Sequence, residues 1–326
     1  MRKRALVVGI NYVGTGNELR GCINDANNIK AYLETQGFEI EMMLEKDATT
    51  AGILDGLKRL VAGATPGDVL FFHYSGHGSQ VPSNLEEDKL DEIICPIDLN
   101  WMDKVITDNE LKQIFNPVPN GVNVTVVLDC CHSGTALDQL ESATVTPRML
   151  ESVDKVRIMK KTMKNRYLPM PAKIERKAKK MKLREWDTSR DINQSALLIA
   201  ACQPNQTSAD ATIAGKPCGA GTYALLRQLG QNPNSTYQEV IDSMNGFMMT
   251  NNFTQRPQLD GSSFLYGRKF LDTWIDLAPA IPTTPVDPVV TPVTPISDSD
   301  NNGKDKKQLI IVGAIVAAVV LFVLFA

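Results

Sequence analysis

Hydrophobic and polar positions along the chain follow two different periods. "ALVVGI" (5–10), "FEIEMML" (38–44), "DVLFFHYSG" (68–76), "NVTVVLDCCHSG" (123–134) and "SALLIAACQ" (195–203) are short apolar runs bounded by glycine, serine or polar residues. Runs of that length and boundary predict strands buried in a sheet. Between them the apolar positions recur every three or four residues. Residues 18–38 carry Leu19, Ile23, Ala26, Ile29, Ala31 and Leu33 on that spacing and stop at Gly37, which predicts a helix. Residues 49–64 predict a second helix despite their glycines. "ITDNELKQIF" (106–115) predicts a third, opened by a capping box from Thr107 to Glu110. "GTYALLRQL" (221–229) and "TYQEVIDSMNGFM" (236–248) predict two more, and "NFTQRPQLDGSSFLYG" (252–267) a closing edge segment. Strands alternating with helices predict an α/β fold with a mostly parallel sheet.

The pattern breaks between residues 140 and 190 and resumes at 192. Charge marks the break: residues 148–190 hold 15 Lys and Arg against 5 Asp and Glu, a local +10, while the whole chain of 326 residues has a net charge of −3. The block has one tyrosine and one tryptophan, too few for a base-stacking platform. A solvated linker is therefore expected, with no nucleic-acid partner. The six cysteines (Cys22, Cys95, Cys130, Cys131, Cys202, Cys218) include no CxxC pair, which argues against a zinc ribbon. The apolar run after "MRKR" is too short for a secretory signal, so reduced, intracellular thiols are expected.

Residues 278–296 contain six prolines and four threonines, the composition of an extended spacer. The 18 residues from Leu309 to Ala326 carry no charge, which predicts a single-pass C-terminal membrane anchor. Lys304, Lys306 and Lys307 precede it and predict that the domain before them faces the cytoplasm. The expected organisation is a large segment (1–139), a basic linker (140–191), a small segment (192–277), a Pro/Thr-rich tether (278–307) and a transmembrane helix (308–326).

Candidate chemistry sits at two strand ends. One run ends in "HYSGHGSQ" (73–80), the other in "LDCCHSGT" (128–135). In an open parallel sheet, ligands bind beyond the carboxyl ends of strands. If the two strands are neighbours, an imidazole and a thiol meet there, as nucleophilic thiol catalysis requires. The flanking glycines leave room for a peptide and free N–H groups for an oxyanion. Of the three histidines, His73 lies within its strand and is expected to pack in the core. His77, between two glycines, is the better base, and His132 is expected to point away from its cysteine neighbour and to be a weak partner for Cys131. Which of the two adjacent sulfurs is the nucleophile stays open on these grounds.

"HYSGHGSQ" followed by "VVLDCCHSGTA" (126–136) resembles the His and Cys motifs of metacaspases, members of the caspase-like clan of cysteine peptidases. The resemblance extends to "ALVVGINYVG", "LRGCINDANNI", "DEIICPID", "ITDNELKQIF", "QTSADA" and "GTYALLRQL", covering roughly residues 4–230 with the basic block as a gap. The order of segments resembles type I metacaspases or their bacterial relatives, and the expected arrangement has no N-terminal pro-region.

The resemblance implies a caspase-like sheet and a cysteine endopeptidase that cleaves after Arg or Lys. It makes Cys131 the nucleophile, with Cys130 in a variable, packed position, and His77 the base. The main-chain N–H groups of Gly78 and Cys131 are implied as the oxyanion hole. Cys22, Asp25, Ser75 and Asp129 are implied as substrate-binding residues, two carboxylates that favour a basic side chain and repel an acidic one. Calcium is implied as an activator, with Asp91, Glu92, Asp108, Asn109 and Asp138 as oxygen ligands. Asn109 stands where the family often has an aspartate. Self-processing is expected somewhere in 148–190, and the expected enzyme is a monomer that acts on protein or peptide substrates. The rival reading is an inactive, membrane-tethered scaffold of the same fold, which has no need to keep both Cys131 and His77.

Overall fold

The computed structural model describes residues 1–82, 90–131, 156–158, 163–174, 196–203, 206–274 and 277. All of these lie in the first of two units, Met1–Ile281. Six strands form the central sheet: β1 (Lys3–Gly9), β2 (Glu39–Leu44), β3 (Val69–Ser75), β7 (Asn123–Asp129), β9 (Ala196–Ala200) and β12 (Gln258–Gly261). Their spatial order is β12-β9-β7-β3-β1-β2. Every pairing from β2 to β9 is parallel, and β12 closes the edge antiparallel to β9.

Alternation along the strands divides the core in two. Ala5, Val7, Val69 and Phe71 face one side, where α1 (Cys22–Thr35), α4 (Ala220–Gln231) and α5 (Tyr237–Thr250) pack with Ile29, Leu33, Leu225, Leu229 and Phe247. Leu6, Val8, Leu70 and Phe72 face the other, covered by α2 (Thr50–Val61) and α3 (Asp108–Phe115) through Ile53, Leu57, Leu111 and Phe115. Both faces are covered, so β3 and β7 are buried along their whole length; this is why they read as unbroken apolar runs. The predicted capping box on α3 is present, and Thr236 with Glu239 makes another on α5.

Two small sheets were not predicted. β4 (Gly78–Pro82), β5 (Leu90–Ile94) and β6 (Ile106–Thr107) form one. The other has the order β11-β10-β8, with β10 at Ala209–Ile213, β11 at Lys216–Gly219 and β8 at Lys164–Asn165. The β10–β11 turn puts Ala214 and Gly215 at positive φ, 50° and 84°, the conformation a tight two-residue hairpin needs. β8 comes from the block expected to be a solvated linker.

The first helix starts later than its pattern. Leu19 lies in a loop, its N–H donating to the Asn11 carbonyl at 2.7 Å, and α1 begins at Cys22. The N–H groups of Arg20 and Gly21 donate instead to the Asp210 carboxylate, both at 2.9 Å. That partner is far away in sequence, and it overrides the local helical spacing.

The expected transmembrane helix is corrected. Among the described residues no helix is long and apolar enough to cross a membrane. The longest, α1 and α5, have 14 residues each. Residues 308–326 lie outside the described residues, as does the tether before them. The expected membrane partner and the anchored, cytoplasm-facing placement therefore have no membrane-crossing helix behind them among the described residues.

Leu57 is fully buried under the sheet, whereas the Thr236 cap is exposed. Leu57→Ala is expected to lower stability by about 2–5 kcal/mol and Thr236→Ala by about 1 kcal/mol. Urea denaturation followed by circular dichroism reads both, and equal losses would contradict this account of the core.

Candidate active site

The parallel pairing of β3 with β7 sets Ser75 opposite Asp129. Both motif-bearing strands therefore end at one edge, and the residues that follow them, Gly76–Gly78 and Cys130–Cys131, converge there. The approach is close: a Cβ on Gly78 would lie 2.0 Å from the Cys131 carbonyl oxygen. Only glycine fits there, and the contact joins the two motifs. Cys130 is fully buried in the apolar cluster on the α2–α3 side.

His77 is 3% exposed. Its Nε2 lies 2.7 Å from the Asn17 carbonyl, and a carbonyl only accepts, so Nε2 carries a proton and donates. Burial lowers the imidazole pKa, while the carbonyls of Asn17 and Arg166 favour its protonation; the net shift is downward. The ring is neutral, and Nδ1 holds the lone pair. Nδ1 is buried without a hydrogen-bond partner among the described residues. The His77 main-chain N–H donates to the Tyr12 hydroxyl at 3.0 Å. His73 is fully buried as expected, with Nε2 3.2 Å from Thr222 Oγ1, and burial pulls its pKa down to about 4. His132 lies outside the described residues.

Cys131 is also fully buried. Its Sγ accepts the Ser208 N–H at 2.7 Å and lies 3.2 Å from Asn165 Oδ1 and 3.4 Å from the Ser208 carbonyl. Burial first, then the neighbouring Cys202 and Cys130, push the thiol pKa up. The sulfur is a protonated thiol in this arrangement.

Beside the two motifs lies a closed acidic pocket, and a side chain of the chain itself fills it. Arg166 is fully buried. Its Nη1 donates to Ser75 Oγ at 2.9 Å and the Asp129 carbonyl at 2.8 Å, and lies 3.2 Å from Asp129 Oδ1. Its Nη2 donates to Asp25 Oδ2 at 2.8 Å and Asp210 Oδ1 at 3.1 Å. Three carboxylates and Ser75 thus hold one guanidinium, with the fully buried Cys22 next to Asp25 and Ser75 in the same field. Each carboxylate has its own anchors. Gly219 N–H donates to Asp25 at 2.9 Å. Ser208 Oγ and the N–H and hydroxyl of Thr222, at the start of α4, donate to Asp129 at 2.7 Å each. A Cβ at Gly219 would lie 2.3 Å from Asp129 Oδ2 and 2.5 Å from Arg166 Nη1, so the pocket wall there has no room for a side chain.

The charges respond to this packing. Burial pushes the Asp25 carboxyl up to about 6, against the pull of Arg166 and with the Asp129 charge adding to the rise. Burial would raise Asp129 too, but Arg166 and the hydrogen bonds from Ser208 and Thr222 outweigh it and hold that carboxyl below its ordinary range. Burial opposes the Arg166 charge, and the surrounding acids more than restore it.

The backbone around Arg166 is extended and docked on both sides. β8 pairs antiparallel with β10, and the Arg166 N–H donates to the Ser208 carbonyl at 3.1 Å. On the other side the Gly78 N–H donates to the Arg166 carbonyl at 2.9 Å, and Leu168 N–H to the Gly78 carbonyl at 3.0 Å. The Arg166 carbonyl thus sits on an expected oxyanion donor and faces the His77 ring. A cavity of about 260 Å³ flanks Met163, Lys164 and Asn165 and is lined also by Ala209, Phe253 and Gln255. The segment lies as an added strand, a common mode of peptide binding.

The expected calcium ligands are placed apart from this pocket. Asn109 Nδ2 donates to Asp91 Oδ1 at 3.1 Å, and Asp108 Oδ2 pairs with Lys112 at 2.8 Å. The other Asp108 oxygen is buried without a hydrogen-bond partner among the described residues. Asp91 and Glu92 are neighbours on β5 and point to opposite faces. Asp138 lies outside the described residues. Among the described residues no three His, Cys, Asp or Glu side chains gather as a metal site.

Sequence reasoning did not single out Asn17, Arg166, Ser208 or Asp210. Arg166 is one cation among the 15 of its block, and Asn17 acts through a carbonyl that every residue has. The one available signal was Asp210, a carboxylate inside "QTSADA" next to an apolar hairpin.

Comparison with known proteins agrees with this geometry. Residues 3–140 match the family model described as "Metacaspase, peptidase C14 domain". A Metacaspase-1 of Mycosarcoma maydis is 34% identical over 291 residues, 80% of this chain and 70% of the relative. The Metacaspase-1 of Lodderomyces elongisporus is 32% identical over 292 residues, 80% of this chain and 65% of the relative. This chain therefore spans about two thirds of the length of such relatives. A crystal structure of a Geobacter sulfurreducens protein superimposes with a TM-score of 0.60 at 26% identity, over 84% of this chain and 100% of that one. With a mostly parallel α/β sheet carrying a thiol and an imidazole at one edge, the chain belongs to the metacaspase family, the cysteine-type hydrolases of the C14 peptidase class.

Proposed function

We propose that the chain is an endopeptidase that cleaves after Arg or Lys, and that the Arg166–Tyr167 bond is its first substrate. The observation that carries the reading is Arg166: its side chain fills the acidic pocket while its carbonyl accepts the Gly78 N–H. Removing one partner of a buried ion pair costs about 3–5 kcal/mol, so a pocket walled by Asp25, Asp129 and Asp210 calls for a cation. An acidic side chain would add a like charge among three carboxylates.

In the reaction, Cys131 Sγ attacks the carbonyl carbon of the residue in the pocket, and the thiol proton passes to His77 Nδ1. Gly78 N–H and Cys131 N–H hold the oxyanion. The C–N bond then breaks, and His77 returns the proton to the leaving amine. A thioester remains on Cys131; water attacks it, His77 takes the water's proton, and the thiol is regenerated with a new carboxyl end. The Asn17 carbonyl keeps the ring in the tautomer that offers Nδ1. At rest the thiol is buried and protonated, and the Arg166 side chain in the pocket blocks other basic substrates until the segment is cut or displaced.

We also propose calcium as the activator, held by oxygens of Asp91, Asp108, Asn109 and Asp138; Glu92, on the opposite face of β5, would take no part. The orphaned buried oxygen of Asp108 and the Asp91–Asn109 contact support a cation between β5 and the start of α3. It would supply charge neutralisation there and takes no part in bond breaking.

Two outcomes follow. Purified chain incubated with calcium should yield a fragment beginning at Tyr167, by intact-mass and N-terminal analysis, and Cys131→Ala should yield none. A first cut elsewhere in residues 148–190, with Arg166–Tyr167 intact, would sink the assignment of the bond. Chelator should slow the cut at least tenfold, and Asp108→Ala should raise the calcium concentration for half-maximal rate; a rate indifferent to chelator would remove the ion.

A further inference from the structure

Asp210 lies outside both catalytic motifs, yet it touches three things at once. Its Oδ1 accepts from Arg166 Nη2 at 3.1 Å and from Gly21 N–H at 2.9 Å, and its Oδ2 accepts from Arg20 N–H at 2.9 Å. It stands on β10, the strand that receives the bound segment in antiparallel register, with Asp210 opposite Lys164. Two residues earlier on the same stretch, Ser208 accepts the Arg166 N–H and offers its own N–H to Cys131 Sγ.

The contacts of Arg166 come entirely from the two ends of its fork. Nη1 serves Ser75 and Asp129, Nη2 serves Asp25 and Asp210, and Nε has no hydrogen-bond partner among the described residues. A lysine brings one ammonium on a stem and no second end. With Lys in this pocket, one nitrogen has to serve carboxylates arranged for two. Asp210 is at the outer end of the Nη2 side and would lose its partner.

Asp210 also closes the loop that holds the base. Residues 11–21 run from Asn11, whose side chain accepts the Cys22 N–H at 2.9 Å, to the Arg20 and Gly21 amides on Asp210. Asn17, within that loop, accepts from His77 Nε2 at 2.7 Å. One carboxylate therefore carries both the far end of the substrate guanidinium and the end of the loop that orients the imidazole.

Resting on the proposed cleavage after basic residues, we infer that Asp210 is a specificity-determining residue: it makes the pocket select Arg over Lys, and it couples a filled pocket to the loop that positions His77. Arg should therefore show a higher kcat as well as a lower KM than Lys. No bond is made or broken by Asp210 itself.

The test uses the full-length chain carrying Arg166→Ala, which takes the guanidinium out of the pocket. Two peptides differing only in Arg or Lys before the scissile bond are compared, with Asp210 present and as Asp210→Asn. The expected result is a fall in kcat/KM of about tenfold to a hundredfold for the Arg peptide, the size of one charge-assisted hydrogen bond. The Lys peptide should change less than threefold, so the Arg:Lys ratio collapses. Asp210→Glu, which keeps the charge, should restore part of the ratio, and thermal melts check that the variants are folded. An equal fall for both peptides, or an unchanged ratio, would overturn the assignment and leave Asp210 a loop fastener. If the parent chain cuts neither peptide, the peptidase reading fails separately. The ratio is then read as dissociation constants of the same peptides on the Cys131→Ala, Arg166→Ala chain, where a ratio insensitive to Asp210→Asn still refutes it.

Discussion

The guanidinium of Arg166 among Asp25, Asp129 and Asp210 is the contact on which the rest of the site depends. A buried charge is tolerated only when paired and hydrogen-bonded, and each of these groups is. The three acids come from α1, the end of β7 and β10, so the ion cluster joins the central sheet, the first helix and the small β10–β11 hairpin. Further elements hold each acid through main-chain N–H groups: Gly219 for Asp25, Thr222 for Asp129, and Arg20 with Gly21 for Asp210. The walls are fixed from outside, and only the occupant is free to change. Under the proposed reading, a pocket built this way selects a cation before any chemistry begins.

The electrostatics of the reacting pair suit a resting state. Burial keeps the Cys131 thiol protonated and the His77 imidazole neutral. A preformed thiolate in that environment would be an unpaired buried charge. Proton transfer therefore belongs to the moment when a carbonyl stands on the Gly78 N–H and negative charge has somewhere to go. The Ser208 N–H on Sγ ties the sulfur to the stretch that leads into β10, the strand that pairs with residues 164–165.

Much of this was legible in the chain's residues, for identifiable reasons. Strands buried on both faces give unbroken apolar runs, so β3 and β7 and their glycine-rich ends stood out. A histidine between two glycines past a strand end has little packing role, which separated His77 from His73. Two of the misses share one cause, a partner distant in sequence. Helix α1 starts after Leu19 because Asp210 captures the amides of Arg20 and Gly21. Arg166 is invisible within a run of cations because only its burial distinguishes it. The short strands β4–β6, β8, β10 and β11 have too few residues for periodicity to speak. The carboxyl-terminal apolar run read as an anchor on composition alone, at the lower limit of length, and among the described residues no membrane-crossing helix stands behind it.

The measurement that tests the central claim most directly is hydrolysis of matched peptides ending in Arg or Asp by the full-length Arg166→Ala chain, with Cys131→Ala added as the blank. An acidic pocket serving Cys131 predicts turnover of the Arg peptide alone, abolished in the blank. Turnover of the Asp peptide, or Arg turnover that survives loss of the thiol, would contradict the account.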